Sequence, residues 1–160
     1  MPVREPVSIT RRVATTTAVA AALALALASC GDSPTQPGTS GGASITLAGT
    51  YAGQASDSSG PGTMTWTITQ AGGSISGSMS ARTPSGSVTH TGNLTGTLSG
   101  STLTFGITIP AGGVAGFPSC TASLNGAASA VTSTSIAGTY AGTSNCSGPV
   151  ADGRFTLSKQ

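Results

Sequence analysis

The chain has 160 residues, of which 6% are charged and 4% aromatic, and 24 are glycine. Its formal net charge of +2 comes from Arg4, Glu5, Arg11 and Arg12 near the amino terminus, so the rest of the chain is near neutral. This balance excludes the basic footprint of a nucleic-acid-binding domain, and no nucleic-acid partner is predicted.

Residues 1–29 have the organisation of an export signal. Arginines precede an uncharged apolar run from Val13 to Ala28, and positive charge on that side holds the amino end in the cytoplasm while the apolar part inserts. The run is shorter than the roughly 20 residues that a membrane-spanning helix needs. We therefore predict a signal peptide that is removed.

The segment ends in Leu27-Ala28-Ser29-Cys30, which resembles the lipobox of bacterial lipoproteins. In that family the cysteine thiol carries a diacylglyceryl group, a peptidase cuts before it, and the new amino group is often acylated. The resemblance implies lipid on Cys30 and a membrane partner, since two or more acyl chains give stable attachment. An ordinary cleaved signal with a coincidental cysteine, or an uncleaved anchor, stays open as an alternative.

Location within the envelope follows from a second resemblance, to the sorting signals of enteric lipoproteins. There the residue after the lipidated cysteine directs the protein between membranes. Gly31 lacks the acidic side chain associated with retention in the inner membrane. We expect a lipid-anchored protein of the cell envelope, at the outer membrane or cell surface rather than the inner membrane.

Residues 30–44 comprise the lipidated cysteine and a tether. From Gly31 to Ser44 the chain is rich in Gly, Pro, Ser and Thr and has no apolar periodicity, which is typical of a flexible linker. Its average reach is about 20 Å. Residues 45–160 remain as one domain.

Cys120 and Cys146 form an even pair once Cys30 is assigned to lipid. In an oxidising compartment such a pair predicts a disulfide, which would stabilise the domain by about 3.5 kcal/mol. The alternative is two reactive thiols or a metal site, but neither a nearby histidine nor a Cys-x-x-Cys spacing supports it. We predict no metal and no cofactor.

From residue 45 onward apolar residues recur at every second position, as in Met64, Trp66 and Ile68 with threonines between them. This alternation predicts β-strands with one solvated face, and Gly-rich turn signals separate the runs. The predicted strands lie near 46–54, 62–70, 74–82, 87–99, 102–110, 119–128, 134–143 and 152–159.

A repeat relates the two ends of the domain. The hexapeptide Ala48-Gly49-Thr50-Tyr51-Ala52-Gly53 recurs as Ala137-Gly138-Thr139-Tyr140-Ala141-Gly142, and the same shift places Trp66 on Phe155. Matching first and last hairpins predict that the first and last strands pair and close the sheet, which removes exposed edges. Inward glycines beside large residues, namely Gly49, Gly53 and Gly96, predict either tight coiling of the strands or room for a neighbouring ring.

The predicted fold class is all-β: a small antiparallel up-and-down meander of about eight strands, closed or nearly closed into a barrel. A β-sandwich is the alternative, because it shows the same short alternating strands. Over residues 45–160 the strand count and the Gly-x-Tyr and Trp-x-Ile pieces resemble avidin-like and lipocalin-like meander barrels. An eight-stranded barrel accommodates side chains or one small ligand, and we expect a filled interior.

Chemically active groups are few in this domain. His90 is the one histidine, and Asp57 and Asp152 are the carboxylates beyond the tether. Because acid–base and nucleophilic catalysis need such groups held together, we predict that the protein is not an enzyme. His90 shares the inward alternation of Leu94, so it either faces the barrel interior or is a solvated residue at a strand end.

The sequence therefore predicts a non-enzymatic, lipid-anchored envelope protein that acts as a structural or interaction module with envelope-protein partners. The alternative is a carrier with a small apolar ligand in the barrel, and a hydrolytic enzyme is the third hypothesis. One set of residues would line the carrier's ligand, or form the core of a filled barrel: Tyr51, Trp66, His90, Phe105, Tyr140 and Phe155.

Overall fold

A computed structural model describes residues 45–86 and 88–160. The predicted signal peptide, lipidation site and tether lie outside the described residues. Eight strands follow one another in the chain: β1 Gly49–Asp57, β2 Gly60–Ala71, β3 Ser74–Arg82, β4 Thr89–Ser99, β5 Thr102–Ile109, β6 Ala122–Ala128, β7 Ser135–Ser144 and β8 Gly148–Lys159. In the described part, no helix has the length and apolar character to cross a membrane.

The strands form one antiparallel sheet in chain order, and β1 also pairs with β8. This pairing closes the sheet into a barrel. The predictions of an all-β meander and of closure are confirmed, and the sandwich alternative is wrong.

Side chains alternate along each strand because successive residues point to opposite faces of the sheet. In β2, Met64, Trp66 and Ile68 are buried, whereas Thr67 and Thr69 are exposed. Inward apolar side chains from all eight strands join one cluster, and no polar or charged residue of the described ranges is fully buried. The barrel is therefore filled by its own side chains.

Inward glycines leave room for the aromatic rings of this core. Phe105 pairs across the sheet with Gly126, where a Cβ atom would collide with the Phe105 ring. Likewise, a Cβ atom at Gly153 would lie 2.5 Å from Cδ2 of Tyr140. At Gly53 and Gly96, which the sequence singled out, a Cβ atom would instead meet the backbone carbonyl of a neighbouring strand first, that of Thr156 or Thr104.

The two repeated hairpins differ in register. Tyr51 pairs with Trp66 in the first hairpin, whereas Tyr140 pairs with Gly153, two residues before the expected Phe155. An irregularity near Tyr140 separates the two halves of the last hairpin, and Asp152 there has a φ of 55°. Because a slip of two residues preserves the alternation of faces, Phe155 still points inward.

The barrel has two different ends. The N-terminal end comprises residues 45–48, the β2–β3 and β4–β5 turns and the β6–β7 loop. Leu47 and Val131, both outside the strands, are 0% and 2% exposed there. The disulfide end comprises the four remaining connections, including the long β5–β6 loop, residues 110–121.

A disulfide joins two connections at the disulfide end. Cys120 in the β5–β6 loop is bonded to Cys146 in the β7–β8 turn, with Cα atoms 5.6 Å apart, which confirms the predicted pair. Asn145 strengthens this link: its Oδ1 accepts the Thr121 N–H at 2.8 Å, and its Nδ2 donates to the Ser119 carbonyl at 3.1 Å. The long loop is therefore fixed on both sides of Cys120.

Candidate functional site

A cavity of about 110 Å³ opens at the disulfide end of the barrel. Its volume is well below the roughly 300–1,000 Å³ of pockets that hold drug-sized ligands. Six lining residues occupy inward strand positions, namely Ala55, Asp57, Met64, Ala81, His90 and Tyr140, and residues 59–63, 82 and 83 also border the cavity.

Strand alternation places the polar groups of the cavity. Asp57 is the last residue of β1 and shares the inward face of Ala55 and Tyr51. His90 is the second residue of β4 and shares the inward face of Leu94. The alternation of β7 places Tyr140 inward, and the three residues therefore meet at the mouth of the barrel.

A direct hydrogen bond joins Asp57 and Tyr140. The Tyr140 hydroxyl donates to Oδ2 of Asp57 at 2.9 Å, and the Ser59 N–H donates to Oδ1 at 2.7 Å. Burial, followed by the hydrogen bond to Asp57 and the negative charge of Asp57, raises the pKa of Tyr140 well above its ordinary value. The phenol therefore stays protonated at neutral pH and remains a donor to the carboxylate.

The matching tyrosine of the repeat points to the other end of the barrel. The Tyr51 hydroxyl donates to the Ser133 carbonyl in the β6–β7 loop at 2.8 Å. Burial raises the pKa of Tyr51 as well. The partner of Tyr51 is neutral, whereas the partner of Tyr140 carries a charge.

His90, Asp57 and Ser59 all line the cavity, a convergence that the sequence did not predict. Within residues 45–86 and 88–160, however, no hydrogen bond joins the His90 imidazole to Asp57 or to a serine hydroxyl. A nucleophile activated by a neighbouring base requires such contacts. The arrangement therefore lacks a formed catalytic triad.

Most of the residues predicted to line a ligand pack against one another. The Trp66 ring lies 4.9 Å from the centroids of both Phe105 and Phe155, and Tyr140 lies 6.3 Å from Phe155. Tyr51 is also fully buried in the same apolar cluster. Of the six, His90 and Tyr140 line the cavity. Ligand contact by these residues stays a prediction.

One polar atom of this cluster has no hydrogen-bond partner among the described residues. The indole N–H of Trp66 is buried and unpaired, which costs roughly 1–3 kcal/mol. Met64, two residues away on the same face of β2, lines the cavity. Trp66 therefore occupies the next inward position of β2 after Met64, one step further from the cavity mouth.

Sequence reasoning did not place Asp57, Ala55, Met64 or Ala81 in a site. Asp57 looked like a turn residue because serine and glycine follow it. The available signal was its alternation with Tyr51 and Ala55 on one strand face. In the described ranges, no group of three histidine, cysteine, aspartate or glutamate side chains could hold a metal ion.

No protein-family model matches the sequence, and no curated protein matches it. Among solved structures, EF1p2_mFAP2b bound to DFHBI has a TM-score of 0.57 and 16% identity, covering 71% of this chain and 94% of that chain. A redesigned beta barrel, mFAP1, bound to DFHBI has a TM-score of 0.52 and 17% identity over the same shares of the two chains. At this identity the likeness shows the barrel fold alone.

Proposed function

We propose that the chain is a lipoprotein of the cell envelope whose filled barrel is a rigid, non-enzymatic module presented from a membrane surface. The observation that carries the proposal is that two of the three cysteines form a disulfide and the third follows a signal-like segment. Cys120 and Cys146 are joined, as expected in an oxidising compartment, and Cys30 follows a basic segment and an apolar run. Lipid on Cys30 accounts for the third cysteine.

Mass spectrometry of the full-length protein expressed in a bacterium tests this proposal. We expect a mature chain that begins at Cys30 and carries the mass of a diacylglyceryl group, and that partitions into detergent. The C30S variant should keep its signal segment and carry no lipid. The C120S/C146S double variant is the matched control and should be lipidated normally. Cleavage at another bond, or an unmodified Cys30, would contradict the proposal.

The membrane to which the protein is sorted needs its own test. We infer the outer membrane or cell surface, since Gly31 follows the lipidated cysteine. In a bacterium with two membranes, the wild-type protein should separate with the outer membrane, and G31D should move to the inner membrane. Equal distribution of the two proteins would remove Gly31 as a sorting signal.

A carrier function is the second candidate, and the two barrels bound to DFHBI favour it. Against it stand the contacts among Trp66, Phe105 and Phe155, because a ligand in the interior would have to displace these rings. Calorimetric titration with DFHBI tests the point. We expect no binding, and saturable binding at micromolar concentrations would favour the carrier over the filled module.

A hydrolytic function rests on the shared cavity of His90, Asp57 and Ser59. We propose that it is absent, because among the described residues no hydrogen bond joins the His90 imidazole to Asp57 or to a serine hydroxyl. The protein should hydrolyse p-nitrophenyl acetate no faster than its H90A variant. A rate that H90A and S59A each abolish would overturn this view.

A further inference from the structure

The cavity at the disulfide end contains a carboxylate with no ionic partner. Asp57 is half-buried, and its hydrogen bonds come from two neutral donors, the Tyr140 hydroxyl and the Ser59 N–H. A carboxylate offers about four acceptor positions, so acceptor capacity remains. No ion pair among the described residues includes Asp57. The cavity therefore holds one negative charge with free acceptor positions.

The other groups around the cavity favour a positively charged guest. His90 contributes an imidazole, which in its neutral form accepts one hydrogen bond. Arg82 also borders the cavity but is exposed, and it alternates with the inward Ala81 and so points to the outer face. The inward lining thus combines one anion with acceptor groups.

Three inward side chains of the cavity lining are apolar. Ala55 and Met64 are buried, Ala81 is half-buried, and all three line the cavity. At about 110 Å³ the space admits a molecule of a few heavy atoms, well short of a drug-sized ligand. A short aliphatic chain would lie against these walls while its polar head reaches Asp57.

We propose that this cavity binds a short aliphatic primary amine in its ammonium form. The ammonium group donates to Asp57 and to the His90 imidazole, and the chain packs against Met64 and Ala81. A primary ammonium fits better than a quaternary one, because the carboxylate and imidazole accept N–H bonds. Quaternary groups are recognised by cages of several aromatic rings, and Tyr140 is the one phenol among the described lining residues.

The proposal is independent of the lipid anchor and of sorting. Among the described residues, Ile45 precedes β1 at the end of the barrel opposite the cavity. Loss of lipidation in the C30S variant would leave amine binding unchanged, and failure of amine binding would leave the lipoprotein proposal standing.

Two-dimensional NMR titration of the protein that lacks residues 1–30 provides the test. This form is justified because the closed barrel and its core lie within residues 45–160. Propylammonium should cause saturable shifts concentrated at Asp57, His90 and Tyr140. Propionate, of the same size and opposite charge, and tetramethylammonium should cause none. Absence of saturable shifts, or equal shifts with propionate, would overturn the proposal.

Two variants test separately the charge and the space that the proposed binding requires. D57N removes the charge and should weaken propylammonium binding about ten- to a hundredfold. A81L fills the cavity without changing Asp57 and should abolish binding in a folded barrel. R82Q, on the outer face, is the control and should bind at least as tightly as the wild type. Unchanged affinity in D57N, or retained binding in a folded A81L barrel, would contradict the site.

A primary ammonium exists both in free amines and in the ethanolamine headgroup of lipids. Free ethanolamine and vesicles of phosphatidylethanolamine distinguish these sources, with phosphatidylglycerol vesicles as the control. Binding of free ethanolamine that D57N weakens supports the site as one for soluble amines, and binding of phosphatidylethanolamine vesicles that D57N weakens supports it as one for the lipid headgroup. Binding of ethanolamine, of these vesicles or of propylammonium that D57N leaves unchanged overturns the proposal.

Discussion

The two ends of the barrel are closed in different ways by matching residues. At the N-terminal end, Leu47 and Val131 cover the interior, and Tyr51 donates to the Ser133 carbonyl. At the disulfide end, Tyr140 donates to the Asp57 carboxylate and the interior opens as a cavity. Because both tyrosines belong to the same hexapeptide, their surroundings rather than their local sequence determine their roles.

Cross-strand neighbours explain why the two tyrosines point in opposite directions. Tyr51 lies between Trp66 on β2 and Lys159 on β8, and the Lys159 ammonium lies 5.7 Å from the centre of its ring. Tyr140 lies between two glycines, Gly126 on β6 and Gly153 on β8. The glycines give the Tyr140 ring the space to reach Asp57 at the opposite end.

The largest expected effect belongs to the disulfide end. The C120S/C146S double variant should lose about 3.5 kcal/mol of unfolding free energy, because the bond closes a segment with a sequence separation of 26 residues. Urea unfolding of the protein that lacks residues 1–30 measures this loss. Hydrogen exchange should accelerate in residues 110–121 while Leu47 stays protected. Equal acceleration at both ends would show that the disulfide does not act locally.

The N-terminal end should respond to loss of its apolar closure. L47A should reduce the unfolding free energy by about 3 kcal/mol, since it removes a fully buried side chain. F117A at the disulfide end is the control: Phe117 is 53% exposed, and its removal should cost under about 0.5 kcal/mol. Similar losses in the same urea experiment would mean that Leu47 does not close the barrel.

Removal of one hydroxyl from each tyrosine compares the two ends directly. Y140F should cost about 2 kcal/mol, because it breaks a bond to a charged acceptor, and Y51F about 1 kcal/mol, because its acceptor is a neutral carbonyl. Urea unfolding of both variants under one set of conditions gives the difference. A larger loss for Y51F would reverse the assigned contributions of the two ends.

Strand alternation and the repeat were sufficient to predict the barrel. The limits 74–82 match β3, Ser74–Arg82, and the repeat correctly indicated that β1 meets β8. β6 begins at Ala122 rather than at 119, because Cys120 belongs to the loop that the disulfide fixes. β8 begins at Gly148 rather than at 152, because the irregularity near Asp152 interrupts the alternation of its side chains.

The cavity was less predictable for a physical reason. The predicted first strand ended at residue 54, because Ser56, Asp57 and Ser58 have the composition of a turn. Pairing with Gly60 and Pro61 instead extends β1 to Asp57 and points its carboxylate inward. Composition indicates the local conformation that a residue prefers, whereas cross-strand pairing determines the face of the sheet to which its side chain points. His90 was recognised because its neighbours in β4 alternate more regularly.

The most specific expected effect is a dependence of stability on alkaline pH. The pKa values of Tyr51 and Tyr140 are raised above 10.0 in the folded protein. Each tyrosine therefore contributes its full stability below about pH 10, where folded and unfolded chains both hold the phenol proton. Above that pH the unfolded chain releases the proton first, and the unfolding free energy falls by up to about 1.4 kcal/mol per pH unit for each tyrosine.

Urea unfolding of Y140F and Y51F from about pH 9 to pH 11.5 distinguishes the contributions of the two tyrosines to the pH dependence of the unfolding free energy. Burial acts on both phenols, but the Asp57 carboxylate additionally opposes ionisation of Tyr140. Y51F, which retains Tyr140, should therefore lose stability up to a higher pH than Y140F, which retains Tyr51. D57N should narrow this difference because it removes the opposing charge. If both variants lose stability over the same range, the charge of Asp57 is screened by solvent and the hydrogen bond alone distinguishes the two tyrosines.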